Sequence, residues 1–166
     1  MYKTLYLAIV EALKNIVNDN NEQIFKHFDI WNRNVEFLEQ DQPFACPACF
    51  VEFTPIKWQS LGNKIQEAPV SIRLHIVSEW FSQTADNSPV KEQALEYLEL
   101  PSQAMAVLHC KNISGINTSA WMRIGSIINH NHERYVDSVE EYVFTVRETA
   151  AHSETTVSDV ILNINH

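Results

Sequence analysis

VSIRLHIV, residues 70–77, decides how the rest of the chain is read. Ile72, Leu74 and Ile76 alternate with Ser71, Arg73 and His75, giving one apolar face and one polar face. Successive side chains of a strand point to opposite sides of its sheet, so this alternation predicts a strand with one face buried and one wet. Working backwards, Gly62-Asn63 marks a turn, with Trp58 and Leu61 before it. Phe50-Val51-Glu52-Phe53 is a second strand-like string, and Pro55 after it fits only an edge, a bulge or a strand end. Together these segments predict a long antiparallel hairpin across Gly62.

Further out, the pattern changes to helix. Leu5, Ile9, Ala12, Leu13 and Ile16 recur at steps of three and four, with Glu11 and Lys14 off that face. Asn18-Asp19-Asn20-Asn21 closes this helix in residues that tolerate turn geometry. Phe25 to Trp31 reads as a short strand or an extended linker, and Glu39 to Pro43 is a polar break. After a loop from Ser82, Ser88-Pro89 opens a helical stripe of Ala94, Leu95, Leu98, Ala104, Met105 and Leu108 that runs to about Cys110. Proline inside a helix costs roughly 3 kcal/mol, so Pro101 predicts a kink there or a restart with Pro101 as the first helical residue. Trp121 to Ile128 and Tyr135 to Val146 supply two more strands around the turn Asn129-His130-Asn131-His132. In the second of them Val139, Glu141, Val143 and Thr145 oppose Tyr142, Phe144 and Val146. The order helix, strands, helix, strands predicts an α+β fold: a mostly antiparallel sheet flanked by an N-terminal helix and a central, proline-interrupted helix.

At 166 residues, with 45% apolar and 20% charged residues, the chain supports one domain with a proper core. That domain is read as residues 1–147. Residues 148–166 form a C-terminal extension, in which polar AAHSETT precedes the strand-like stretch Val157 to Ile164. The extension is either an arm that pairs with a neighbouring subunit's sheet edge or an extra edge strand of its own domain. No apolar run approaches the ~20 residues that cross a bilayer. The N-terminus reads as an amphipathic helix, not a signal peptide, and a cytoplasmic protein is expected. A formal charge of −9 argues against gripping nucleic acid by counterion release. It is compatible with a passive negative wall beside DNA.

Candidate chemistry starts in QPFACPACFVEF, residues 42–53, where Cys46 and Cys49 make a C-x-x-C pair. A structural zinc site needs four ligands, so the pair is half a site, to be completed by His130 and His132 or by His109 with Cys110. Neither option has a second spaced pair. A redox dithiol normally sits where a helix N-terminus stabilises the thiolate, whereas here Pro47 lies between the cysteines and a strand follows. Both cysteines are read as small hydrophobes at a strand entrance. Three cysteines make no disulfide framework. DSVEE, Asp137 to Glu141, is read as a solvated strand face. Of the four tryptophans, Trp31, Trp58, Trp80 and Trp121, the pair Trp80-Phe81 is the exposed candidate for an interface anchor. No nucleophile elbow, H-E-x-x-H or phosphate-binding loop is present. No catalytic, cofactor-binding or metal residue is assigned, and no cofactor is expected.

Several segments, in their order and wording, resemble tail terminator (tail completion, or neck) proteins of long-tailed bacteriophages and prophages. They are YKTLYLAIVEALK, FDIWNRNVEFLEQDQPFACPACFVEF, EAPVSIRLHIVSEW, ALEYLELPSQAMAVL and NHERYVDSVEEYVFTV, and they span about residues 1 to 147. The resemblance implies a non-enzymatic virion subunit, assembled in the host cytoplasm into a homo-oligomeric ring, usually hexameric. The ring caps the tail tube, ends its polymerisation and offers a docking surface to the head connector. Its partners are then the tube protein and the connector proteins, with DNA passing through the lumen unbound. Two other readings stand beside it: another neck component, such as a head-tail stopper or a minor capsid protein, and a small zinc- or thiol-dependent protein using Cys46 and Cys49 with the His130/His132 turn.

Overall fold

A computed structural model of the chain describes residues 1–35, 44–80, 85–113, 119–130 and 134–151. In chain order the elements are α1 (Tyr2–Lys14), β1 (His27–Ile30), β2 (Ala48–Phe53), β3 (Gln59–Gly62) and β4 (Ile65–Glu79). They are followed by α2 (Lys91–Leu95), a 3-10 turn (Glu96–Leu98), α3 (Leu100–Leu108), β5 (Met122–Asn129) and β6 (Tyr135–Glu148). The fold is α+β, and its sheet runs β1-β2-β4-β6-β5, with β3 also pairing to β4.

The alternating stretch that opened the sequence lies inside β4, which starts well before Val70 and spans 15 residues. β6 pairs with it antiparallel from Gln66↔Glu148 to Glu79↔Tyr135, so two long strands form the spine of the sheet. On the other side of β4 stand two short strands in succession, β3 opposite Gln59↔Glu67 to Gly62↔Ile65 and β2 opposite Phe53↔Ile72 to Ala48↔Val77. The expected hairpin is therefore real, with its first arm broken around Pro55. Pro69 sits in β4 opposite that break. The Ser71 carbonyl, directed the same way two residues on, accepts from the Thr54 amide at 3.3 Å and from the Thr54 hydroxyl at 2.7 Å. Proline is tolerated there because no strand on that side asks for its missing N–H. The hairpin turn itself falls one residue later than the sequence suggests. Gly62 pairs with Ile65, leaving Asn63 and Lys64 as the central pair, both at positive φ (48° and 61°) as a two-residue hairpin of the primed type requires.

The sheet is mostly antiparallel, with one parallel pair. Phe25 to Trp31 does contain a short strand, β1, but it pairs with β2 in parallel, His27↔Ala48 to Ile30↔Val51. The helical stripe after Ser88 is broken as Pro101 predicted: α3 begins at Leu100 with the proline in its first turn. The turn after α1 is organised by Asn18, whose Oδ1 accepts from the amides of Asn20 (3.0 Å) and Glu22 (2.9 Å).

Leu5, Ile9, Ala12 and Leu13 of α1, with Ile16 just after it, are buried against the sheet face formed by Ile72, Leu74, Ile76, Tyr142, Phe144 and Val146. Leu100, Ala104 and Leu108 of α3 complete this core, and Trp121 stacks on Phe144 with ring centroids 4.2 Å apart. The opposite face is not uniformly wet. Val35, Ala48, Phe50, Val77 and Tyr135 form a second buried cluster there, packed by Trp31, Phe44 and Cys46. The extension is described only to residue 151, so Val157 to Ile164 lies outside the described residues. Among the described residues no helix is long and apolar enough to cross a membrane.

Candidate interaction surfaces and the polar clusters beneath them

The C-x-x-C pair is divided by the sheet. β2 carries Cys49 into the helix-side core, whereas Cys46, just before the strand, packs against the second cluster on the other face. Burial pushes the Cys46 thiol up to about 12, with Glu79 adding to the rise and Arg134 opposing it. Burial, and then Asp137, raises the Cys49 thiol as well. Buried thiols held protonated in this way are poor nucleophiles and poor ligands. Cys110 is exposed at the end of α3, and all three cysteines are free. His109 is used locally: its Nδ1 accepts from the Arg123 amide at 3.4 Å. His130 sits edge-on to Trp80 (5.3 Å) and Tyr97 (6.4 Å), closing the ends of β4 and β5 against the 3-10 turn. His132 lies outside the described residues. Among the described residues, no group of three His, Cys, Asp or Glu side chains is arranged to hold a metal ion.

The acidic run read as solvated is instead partly interior. Asp137 and Glu140 are both buried, Glu140 completely. Pairing explains why the alternation misled: Glu140 faces Leu74 on the helix side of the sheet, one residue out of step with Glu141, which faces Arg73. Glu140 is tied to β5, accepting from Arg123 Nη1 at 3.1 Å and from the Ser126 hydroxyl. These two contacts straddle the irregularity between Arg123 and Gly125 where β5 shifts register against β6.

On the other face a ladder of polar side chains crosses three strands. Ser71 Oγ donates to Glu141 Oε1 at 2.6 Å, and Arg73 lies between Glu141 (3.9 Å) and Glu52 (3.5 Å). His75 Nε2 is 3.3 Å from Glu52 Oε2, and its Nδ1 is 2.9 Å from Asp137 Oδ2. Trp31 covers the imidazole, ring on ring, at 3.6 Å and 3°. His75, expected on a wet face, is thus buried under an aromatic lid. Sequence periodicity assigned the strand faces correctly and missed the lid, because Trp31 comes from a segment whose path the alternation does not encode. The ladder has carboxylates, a guanidinium and an imidazole, and the Ser71 hydroxyl within it donates to Glu141. Its evident work is to lock β2, β4 and β6 in register.

Exposed apolar side chains gather on β5. Among the described residues, β6 is the one strand that pairs with it. Met122, Ile124, Ile127 and Ile128 are 46%, 59%, 67% and 41% exposed. The approach to the strand is occupied on the other side, since Cys110 donates to the carbonyl of Trp121, just before β5 (2.8 Å), Trp121 to the Lys111 carbonyl (3.1 Å), and the Arg123 amide to His109. From Ile124 to Ile128 the edge carries neither lysine nor proline, the residues that usually discourage pairing with another chain. On the opposite flank β1 exposes Ile30, and Leu61 is exposed near the tip of the β3–β4 hairpin. Trp80 is exposed as the sequence suggested, while Phe81 lies outside the described residues.

Between the segment 17–26 that follows α1, the end of β4 and the stretch 94–103 lies a groove of about 620 Å³ whose lining includes Asp19, Glu79, Glu96 and Glu99, with Lys26 the one cation among its lining residues. The Gln103 Oε1 atom, in the same lining, is buried without a hydrogen-bond partner among the described residues. No protein-family model matches the chain, and no curated protein sequence matches it.

Proposed function

We propose that this chain is a structural subunit that works by assembly, as a tail terminator ring at the head-proximal end of a phage tail tube. Its ring ends polymerisation of the tube and joins the tail to the head connector. The observation that carries this reading is the flank of β5, where four exposed apolar side chains accompany an edge with no protective charge from Ile124 to Ile128. An edge of this kind is a liability for a solitary protein and a contact surface for an assembling one.

Three further features support the reading. The two flanks of the sheet differ, a parallel-paired β1 at one and an apolar antiparallel β5 at the other. Ring closure by head-to-tail contacts needs two unlike, complementary surfaces. The net charge of −9 suits a conduit that must let DNA slide without holding it. The sequence resemblance over residues 1–147 points to the same place in a particle.

Electron microscopy of an intact particle tests the proposal through the position and copy number of the subunit. A ring of copies between tube and connector is the expected result. A single copy, a place in the capsid shell, or stoichiometric zinc that leaves with a Cys46→Ser/Cys49→Ser change would each overturn it.

A further inference from the structure

We infer that the open edge of β5 receives the C-terminal stretch Val157 to Ile164 of a neighbouring copy, so that subunits are joined by strand exchange. This deepens the assembly reading and rests on it, naming the contact through which one copy holds the next.

The acceptor is defined by its backbone and its side chains together. Beyond the His109–Lys111 segment, the edge of β5 from Ile124 to Ile128 has no second strand against it among the described residues, with Ile127 on one face of the sheet and Ile128 on the other, opposite Val139 and Ser138 respectively. A strand added there would extend the sheet by main-chain hydrogen bonds and cover apolar surface on both faces. The donor is defined by its sequence. VSDVILNI is eight residues long, as β5 is, and places Val160, Leu162 and Ile164 at alternate positions with only Asp159 charged. It follows Glu148, the end of β6, after the eight residues 149–156.

Geometry favours a neighbour's tail over the chain's own. Glu148 lies seven residues beyond Glu141, the partner of Gly125. To start a strand beside Ile124, the chain's own tail must return ~23 Å along the sheet and cross two strand spacings, ~10 Å. It must also clear the His109–Lys111 segment, with a linker whose full stretch is ~28 Å. That leaves almost no slack. The returning strand would run parallel to β5, the slightly weaker pairing. A tail from the next copy meets neither constraint and can pair antiparallel. Extensions that reach across to a neighbour's sheet edge also close a ring without needing a large flat interface.

The test uses the full-length chain with p-benzoylphenylalanine replacing Leu162, as an equal mixture of nitrogen-14 and nitrogen-15 copies. After irradiation, crosslinked peptides are read by mass spectrometry. The inference expects crosslinks from position 162 to residues 122–129, with about half of them joining a light copy to a heavy one. An Ile127→Asp change in the same chain is expected to cut their yield at least tenfold. Ile127 is 67% exposed, so this change leaves the fold intact, as circular dichroism will check. Crosslinks confined to one isotope would assign the tail to its own subunit and overturn the inference. Crosslinks to other elements, or none, would overturn it too. The neck reading fails separately: a ring seen in particles without these crosslinks sinks the strand exchange alone. Crosslinked copies that occupy no place in a particle keep the exchange and sink the neck.

Discussion

Removing the guanidinium of Arg123 should destabilise the subunit far more than removing its partner. Glu140 is 0% exposed, whereas the Arg123 side chain is 32% exposed and reaches solvent. In Arg123→Met the carboxylate stays inside the sheet with only the Ser126 hydroxyl for company. Breaking a buried pair from one side costs 3–5 kcal/mol, and because water already reaches Arg123 we expect the lower end, about 3 kcal/mol. In Glu140→Leu the guanidinium swings into water and the new side chain lies against Leu74, its cross-strand neighbour. That change should stay within about 1 kcal/mol of the parent, since replacing a buried charge by an apolar group of similar volume is often neutral. The double variant Arg123→Met/Glu140→Leu should then recover most of what the single Arg123→Met loses.

Urea unfolding at neutral pH measures all four proteins, with the midpoint and slope giving the stability of each. It should be run at a concentration where the mass of the species is known, because association adds to apparent stability. In a domain of this size a loss of about 3 kcal/mol lowers the melting temperature by roughly 6–12 °C. Equal losses from the two single changes, or a double variant whose loss is their sum, would refute the claim that a desolvated carboxylate depends on Arg123.

Three further outcomes follow from the same structure. Burial holds the thiols of Cys46 and Cys49 and the phenols of Tyr6, Tyr135 and Tyr142 protonated beyond their ordinary range. Native-state values raised above the unfolded ones mean full stability below pH 9.0, the ordinary thiol value, and loss as pH climbs towards about 12; denaturation midpoints across that window check it. In the native protein a thiol-specific reagent at pH 8 should modify exposed Cys110 first, half-buried Cys46 more slowly because its thiol is held protonated, and buried Cys49 only after denaturant is added; three equivalents taken up at once would contradict this order. Trp121→Ala removes a fully buried indole stacked on Phe144 and should cost 3–5 kcal/mol by chemical denaturation, whereas Trp80→Ala, at an exposed ring, should cost less than about 1 kcal/mol.

Much of the architecture was legible because the elements obey their own periods. The 3.6-residue recurrence of Leu5, Ile9, Leu13 and Ile16 and the two-residue recurrence of Ile72, Leu74 and Ile76 each name a buried face, and those faces meet in the core. What stayed hidden depends on partners distant in sequence. Nothing local reveals that β1 pairs in parallel, since its four residues carry no mark of their neighbour's direction. Asp137 and Glu140 look like surface charges until Asp137 is matched with His75 and Glu140 with Arg123. The broken first arm of the hairpin was half visible: Pro55 announced an interruption, but only the register shows Pro69 resting opposite it. The exposed edge of β5 was invisible for a different reason. Isoleucine carries no mark of exposure, and these side chains are surface because the strand falls at the end of the sheet.

That last point joins the buried charges to the proposed assembly. An edge strand accepts another chain only if it is held extended and at a fixed height relative to the sheet. β5 is short, irregular between Arg123 and Gly125, and has exposed apolar side chains on both faces, so packing alone holds it weakly. The Arg123–Glu140–Ser126 cluster supplies the missing constraint, anchoring the strand to β6 on both sides of the irregularity. Buried charge is a poor source of net stability but a good source of register, because a slipped strand would leave Glu140 unpaired in the core. Arg123→Met should therefore weaken strand exchange as well as folding, and the two effects separate in the rescue. The double variant regains stability without regaining the pin, so its crosslinks from position 162 should stay below the parent level even where its unfolding midpoint matches. Full recovery of both would mean that β5 needs no fixed register to receive its neighbour, and that the buried pair serves stability alone.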